Sequence, residues 1–184
     1  DRVTFGLEHG NAKFRADVVK REYTNESAIR KIKIVEDLGI TFSVNNIIGF
    51  PDETRELAFD TIELNRQFNS DNTSCSILVP FHGTELHDLC VKKGYLDPSV
   101  ICAVSNSGES LLNMPQWSKE DMTRLRDVFA MYIKFPKDRW PEIKRAEMDL
   151  TLRNQLRKEF VETYWSDSKA KIEDDIAEAA KGLF

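Results

Sequence analysis

Apolar segments of strand length alternate three times with helical segments in the first half of the chain, and this alternation restricts the fold more than any other feature. The predicted strands are residues 3–8, 41–48 and 75–80, and the predicted helices are residues 25–38, 53–68 and 84–93. Strands separated by helices of this length are typical of βαβ crossovers and a parallel sheet. The sequence therefore predicts an α/β fold.

The turn after the second predicted strand has the composition of a ligand-facing loop. Residues 43–54 read Ser-Val-Asn-Asn-Ile-Ile-Gly-Phe-Pro-Asp-Glu-Thr, so an apolar strand ends at Gly-Phe-Pro just before a helix begins. Gly49 has no Cβ and allows close approach of a bound group, while Pro51 fixes φ and stiffens the turn. Ligands of α/β folds collect at the carboxyl ends of strands. The alternative is an ordinary βα loop with a glycine for steric reasons.

The pattern changes after residue 96. Residues 1–96 are predicted to form the α/β domain, residues 97–117 a loop or linker, and residues 118–184 a helical C-terminal region. Ser118 with Asp121 resembles a capping box, and the Phe135-Pro136 and Trp140-Pro141 pairs are predicted to break the helix that follows. Further helices are predicted at 142–148, 150–164 and 168–183. We expect this region to cover the mouth or the bottom of the α/β domain.

Composition narrows the possible partners and location. The formal charge of −5 and the pI near 5.3 argue against a nucleic-acid-binding surface. No apolar run is long enough for a membrane span and no segment resembles a signal peptide, so a cytoplasmic location is expected. Cys75, Cys90 and Cys102 are spaced too widely for a CxxC pair. They are interpreted as small buried apolar residues in a reducing compartment.

Polar residues that could bind a small molecule follow the three predicted strands. Glu8 could accept hydrogen bonds from hydroxyl or ammonium groups, or it could cap the following backbone amides. Asn45 and Asn46 point to opposite faces of their strand, and one of them is expected to face the ligand. Arg15 and Arg21 could each pair with a carboxylate, or lie in solvent. The sequence contains no nucleophile elbow, phosphate loop or dinucleotide fingerprint.

Three motifs together resemble a known enzyme family. They are Gly-Leu-Glu-His-Gly-Asn at 6–11 with Arg21 thirteen residues after Glu8, the segment 45–54, and Pro-Phe-His-Gly-Thr-Glu-Leu at 80–86 with Gly-Tyr-Leu at 94–96. This combination resembles the second half of a radical S-adenosylmethionine (radical SAM) enzyme. It is closest to the branch that carries a cobalamin-binding domain ahead of the barrel. The resemblance covers residues 1–96 and extends more loosely to 113–116 and 134–136.

The resemblance implies a fold and a chemistry. The fold is the C-terminal half of a partial (βα)6 TIM-like barrel, comprising the fourth to sixth βα units, followed by an α-helical extension. The activity implied is reductive cleavage of S-adenosylmethionine at a [4Fe-4S] cluster to a 5′-deoxyadenosyl radical that abstracts hydrogen from a substrate. In the cobalamin branch the outcome is methyl transfer to an unreactive carbon or a ring-forming rearrangement, with cobalamin as a further cofactor.

The resemblance also implies roles for five residues. Glu8 matches a polar residue near the ribose or methionine moiety of S-adenosylmethionine, and Arg21 matches a basic residue that reaches its carboxylate. Asn45 matches a polar residue directed to the ribose. Ile47 and Gly49 match an Ile-x-Gly element that packs on adenine. A planar guanidinium suits a carboxylate, and an apolar side chain suits a purine face. No catalytic residue and no metal ligand is assigned.

The chain also departs from the family pattern. The CxxxCxxC cluster motif is absent, Asp52 stands where relatives usually have glycine, and His9 stands where many have serine. We therefore expect a C-terminal portion of a longer enzyme, inactive alone, whose partners are its missing N-terminal half and an unidentified small-molecule substrate. One alternative is an inactive or truncated module that pairs with another chain. The other is an unrelated (βα)-barrel hydrolase or aldolase that uses Glu8 and His82.

Overall fold

A three-stranded parallel sheet forms the centre of the computed structural model, which describes residues 2–101 and 108–164. The strands are β1 (Arg2–Glu8), β2 (Thr41–Ile48) and β3 (Asn72–Ile77), in the spatial order β1-β2-β3. In the register of the sheet Gly6 lies opposite Asn45, and Asn45 lies opposite Ser74. The α/β class predicted from the alternating pattern is confirmed.

A helix follows every strand, and further helices continue to the end of the described residues. A short helix α1 (Ala12–Phe14) continues into a π-helical turn (Arg15–Val19), and a 3₁₀ turn (Lys137–Arg139) precedes α6. The other helices are α2 (Asn25–Asp37), α3 (Arg55–Asn65), α4 (Glu85–Lys92), α5 (Lys119–Lys134), α6 (Trp140–Ala146) and α7 (Leu150–Tyr164).

Hydroxyl side chains fix the starts of α2, α3, α4 and α5. Thr24, Thr54, Thr84 and Ser118 each accept a hydrogen bond from the backbone N–H three residues later. Such caps satisfy one of the amides that the first helical turn leaves without a partner. The predicted cap at Ser118, paired with the Asp121 amide, is therefore confirmed.

The two faces of the sheet differ in chemistry. Apolar side chains of β1 and β2, among them Leu7, Val44 and Ile48, are buried against the helices. The opposite face carries small polar side chains that are mostly exposed or half-buried. We call it the open face; its residues are Thr4, Gly6, Ser43, Asn45, Ile47, Ser74 and Ser76.

Helix α5 lies against the helix-covered side of β3, beside α3. It runs antiparallel to β3, since Met122 near its start lies at the level of Gly49, while Lys134 at its end donates to the Ser70 carbonyl at 2.6 Å. Its buried residues join those of β2, β3 and α3 in one apolar core. The helical region is expected from the sequence to cover the mouth or the bottom of the α/β domain. This is wrong for α5, which packs against the helix-covered face of the sheet at β3.

Arg66, just after α3, binds the far end of α5. One of its guanidinium nitrogens lies 2.8 Å from the Tyr132 carbonyl oxygen, 2.7 Å from that of Ile133 and 2.8 Å from that of Phe135. These are carbonyls at the end of the helix, which need donors from outside the helix. The α/β unit and the helical region are thereby joined by hydrogen bonds as well as by apolar packing.

Three element predictions need correction. The third strand begins at Asn72 and not at residue 75, because its open-face residues are polar and carry no apolar signal. The Trp140-Pro141 pair does not break a helix but begins α6, where proline at the first turn loses no hydrogen bond. Helix α3 is shorter than predicted at both ends. The predicted helix at 168–183 and Cys102 lie outside the described residues.

None of the helices in residues 2–101 and 108–164 is both long enough and apolar enough to cross a membrane. Of the cysteines, Cys90 is fully buried as predicted, whereas Cys75 is only half-buried.

Candidate functional site

An ion pair lies over the open face near the carboxyl end of β1. The Glu8 carboxylate and the Arg21 guanidinium are 3.1 Å apart, with 14% and 50% of their side chains exposed. A Cβ placed on Gly6 would lie 2.7 Å from Glu8 Oε1 and 3.8 Å from Arg21 Nη1. The pair therefore folds back over Gly6, and only a glycine leaves room for it there. The alternative role of Glu8 as a cap is not observed, because Asn11 caps that helix.

Asn45 lies next to this pair, on the neighbouring strand. It is exposed, and its Oδ1 accepts a hydrogen bond from the Ser74 hydroxyl at 2.8 Å. Ile47 lies two residues further along the same face and is half-buried. Asn46 points the other way and is buried, exchanging hydrogen bonds with Asn65. Of the two asparagines, Asn45 is thus the one on the open face.

Gly49 occupies a different environment from the other predicted site residues. It is buried with φ of +83°, and its amide donates to Glu53 Oε2 at 2.6 Å. The space in front of its Cα is filled by Met122 Sδ, which lies 3.0 Å from the point that a Cβ would occupy. The close approach that requires glycine is therefore made by α5. A role of the Gly49 backbone in packing on adenine stays a prediction.

Asp52 adopts the left-handed conformation that glycine usually supplies, with φ of +66°. Its carboxylate accepts from Tyr95 Oη at 2.8 Å and pairs with Lys93 Nζ at 2.8 Å. Partial burial raises the pKa of the Asp52 carboxyl, but the hydrogen bonds from Lys93 and Tyr95 outweigh it and hold the pKa below its usual value. Asp52 therefore keeps the backbone conformation that glycine usually supplies in such a turn. Its carboxylate also joins the turn to Lys93 and Tyr95, which follow α4.

Arg15 and His82 are not placed as binding groups. The Arg15 guanidinium is buried, donates to the carbonyls of His9 and Tyr23, and stacks on the Tyr23 ring. Arg15 is therefore a structural residue and not a solvated one. His82 lies on the surface, 3.0 Å from the Val100 carbonyl, with its ring 4.3 Å from that of His87.

A cleft of about 270 Å³ lies on the other side of the sheet, between β3, α5 and α7. Cys75 lines it beside Arg126 and Phe160. Burial, with the nearby Glu53 carboxylate, raises the pKa of the Cys75 thiol well above its usual value. The thiol therefore stays protonated near neutral pH and is a poor nucleophile.

Two parts of the site are absent from the sequence-based prediction. Ser74 and Ser76 recur with period two in β3, which is the pattern of a strand with one polar face and could have indicated the open face. The second part is a buried pair between His9 and Glu53, which are 44 positions apart and completely inaccessible to solvent. Neither residue type predicts such a contact.

Among the described residues, no three side chains of the histidine, cysteine, aspartate or glutamate type are grouped to hold a metal ion. The chain therefore offers no ligand set for a [4Fe-4S] cluster within residues 2–101 and 108–164. The Glu8–Arg21 pair and the open face beneath it together present a carboxylate, a guanidinium, an amide and an apolar side chain.

Curated proteins similar to this chain are enzymes. An uncharacterized methyltransferase of Pyrococcus horikoshii is 29% identical over 94 residues, which cover 51% of this chain and 20% of that protein. Cytidylyl-2-hydroxyethylphosphonate methyltransferase of Streptomyces wedmorensis is 24% identical over 148 residues, 75% of this chain and 27% of that protein. Anaerobic magnesium-protoporphyrin IX monomethyl ester cyclase of Rubrivivax gelatinosus is 30% identical over 84 residues, 46% of this chain and 15% of that protein.

The chain thus spans less than a third of the length of these relatives. A comparison with models of protein families finds no match. The relationship to methyltransferases and to a cyclase, at low identity, is what these similarities establish.

Proposed function

We propose that this chain is the C-terminal half barrel of a radical SAM enzyme and that its open face is one wall of the S-adenosylmethionine site. The observation that carries the proposal is the position of the Glu8–Arg21 pair beside Asn45, at the carboxyl end of a sheet whose other face is covered by helices. In barrel folds such an end holds the ligand. The similarity to methyltransferases and a cyclase supports the same chemistry.

Each residue has a role that fits its chemistry. Arg21 would grip the carboxylate of the methionine moiety, because a guanidinium donates two parallel hydrogen bonds to a carboxylate. Glu8 would accept from the ammonium or ribose hydroxyl groups and would keep Arg21 oriented. Asn45 would bind the ribose, and Ile47 would pack against the adenine.

S-adenosylmethionine supplies, when bound, either the methyl group or the 5′-deoxyadenosyl radical. The protein positions it and excludes water. The CxxxCxxC motif does not occur in the 184 residues, so cluster ligands would come from elsewhere. No residue is assigned to cobalamin. Methyl transfer or a ring-forming rearrangement of a small-molecule substrate is the proposed outcome.

The edge of β1 supports the proposed partner. Within the described residues β1 pairs with β2 alone, so its outer edge presents backbone donors and acceptors to a neighbour. Such an edge needs a neighbouring strand or a cover. We propose that the N-terminal half of the same protein supplies it.

The binding roles can be tested in the natural full-length protein by calorimetric titration with S-adenosylmethionine. Arg21→Ala and Asn45→Ala are each expected to weaken binding roughly tenfold, because a charge-assisted or buried ligand hydrogen bond is lost. Arg30→Ala and Asn154→Ala, exposed on α2 and α7, are the matched controls and should bind normally. Unchanged affinity in both site variants would remove Arg21 and Asn45 from the site.

A second test uses the space over Gly6. In Gly6→Ala the new methyl group collides with Glu8 Oε1, the end of a flexible side chain, and should push Glu8 away from Arg21. We expect affinity for S-adenosylmethionine to fall roughly fivefold. Unfolding stability should change by no more than about 1 kcal/mol, because a strand tolerates alanine well. Normal affinity in Gly6→Ala would show that the ion pair does not contribute to binding.

A further inference from the structure

We propose that the buried His9–Glu53 pair is a positioning device that fixes the two strand-end segments bearing the S-adenosylmethionine site. The inference rests on the proposed function and extends it to residues that do not touch the ligand. His9 follows Glu8 directly at the end of β1, and Glu53 closes the turn that follows β2 and contains Gly49. The pair links these two segments directly through side chains.

Glu53 is held by three donors. Its Oε2 accepts from the Gly49 amide at 2.6 Å and from the Phe50 amide at 2.9 Å, and its Oε1 lies 3.1 Å from His9 Nε2. The side chain has no exposed surface. Burial raises the pKa of the Glu53 carboxyl, while the hydrogen bonds from His9, Phe50 and Gly49 oppose that rise. The two carboxyl oxygens of Glu53 thus supply the acceptors for all three donors.

The orientation of His9 is equally determined. Its Nδ1 accepts from the Asn11 amide at 3.1 Å, so the ring proton lies on Nε2, where it is donated to Glu53. The rings of Phe14 and Phe50 pack on the imidazole, with centroids at 4.6 and 6.2 Å. The His9 carbonyl accepts from Arg15 at 2.6 Å. Neither the ring nor the backbone of His9 is free to turn.

The His9–Glu53 pair acts on Glu8 and Ile47 through the backbone segments that connect them to the pair. Glu8 has φ of +63°, a conformation that a non-glycine residue keeps only when its surroundings hold it. On the other strand, the two amides bound by Glu53 belong to the turn immediately beyond Ile47. Breaking the pair should therefore loosen Glu8 and Ile47 relative to each other, although both keep their side chains.

Glutamine substitutions separate this role from a general packing role. In Glu53→Gln the amide NH₂ must face one of three donors, so at least one hydrogen bond is lost. In His9→Gln the side-chain amide can still donate to Glu53. In the double variant H9Q/E53Q the amide oxygen at position 53 can face Gly49 and Phe50 while the NH₂ group of the same side chain donates to the amide oxygen at position 9. Complementary donors and acceptors are thereby restored.

The experiment measures S-adenosylmethionine affinity in the full-length protein by calorimetry. His9→Ala and Glu53→Gln are expected to bind roughly tenfold more weakly, and His9→Gln and the double variant to bind within roughly threefold of the unaltered protein. His87→Ala, which removes a buried histidine in α4, is the matched control and should bind normally. Recovery in the double variant is a result that simple loss of packing does not give.

Hydrogen exchange in the peptide containing Gly49 and Phe50 provides a readout that does not need the ligand. The two amides should be protected in the unaltered protein and exchange faster in His9→Ala and Glu53→Gln. If the unaltered protein fails to bind S-adenosylmethionine, the proposed function fails, and faster exchange in His9→Ala would still support the link between the segments. Unchanged exchange in His9→Ala, or normal affinity in both weakened variants of a protein that does bind, would overturn the inference.

Discussion

Replacing Glu147 by alanine is expected to lower the free energy of unfolding by about 3–5 kcal/mol, the typical cost of removing one partner from a buried charged network. Glu147 is 2% exposed. It accepts from Tyr132 Oη at 2.7 Å and pairs with Arg55 at 2.5 Å and Lys144 at 2.9 Å. The variant leaves the Tyr132 hydroxyl and the largely buried Arg55 guanidinium without this acceptor, at a point where α3, α5 and α6 meet.

Urea unfolding followed by tryptophan fluorescence measures this change. Lys158→Ala is the exposed-pair control, because its pair with Glu162 spans 3.8 Å between side chains that are 79% and 65% exposed. Surface pairs of this kind contribute no more than about 1 kcal/mol. If the Glu147 and Lys158 variants lose similar stability, the Glu147 network does not join the helices as described.

Gly10→Ala is expected to cost about 3 kcal/mol or more, because the new methyl group has no space. A Cβ on Gly10 would lie 2.2 Å from the Asp60 carbonyl oxygen and 2.4 Å from Thr61 Cα, both backbone atoms of α3. The Gly10 amide also donates to Thr61 Oγ1 at 2.8 Å, so the two segments cannot separate without losing that bond.

Gly39→Ala separates the steric effect from backbone strain. Gly39 has φ of +67° and no atom within 4 Å of a Cβ position. Its substitution should therefore cost only the left-handed conformation of one residue, about 1 kcal/mol. Thermal and urea unfolding of the two variants compare the effects directly. A smaller loss in Gly10→Ala than in Gly39→Ala would mean that the loop after β1 does not pack on α3 this closely.

Short-range sequence patterns predict the bounds of those strands and helices that are determined by their own residues. The predicted bounds of β2 match the structure, because its apolar run ends at a glycine that the turn requires. The cap at Ser118 follows from a hydroxyl group placed before an amphipathic segment. Helix α7 also has the predicted bounds.

Features that depend on tertiary packing are not predictable in the same way. The apolar stripe of α5 shows that one side of the helix is buried, but not that β3 and α3 bury it. The start of β3 escapes a prediction based on apolar runs because Asn72, Thr73 and Ser74 are polar.

The arrangement of the candidate site is predictable only in part. The motifs that contain Glu8, Arg21, Asn45 and Ile47 point to one end of the sheet, and the structure brings these four residues to neighbouring positions there. Their binding role is a proposal that the titrations test. The buried positions of His9, Arg15 and Glu53 depend on contacts between distant segments, which no spacing reveals.

The attachment of α5 at both ends restricts how this helix can move. Near its start Met122 fills the space over Gly49, and at its end Arg66 holds three carbonyl groups. A hinge motion of α5 would have to break these contacts together and open the apolar core. Helix α5 is therefore a fixed support of the sheet, and it can leave β3 only if the contacts at both of its ends and part of the core are lost together.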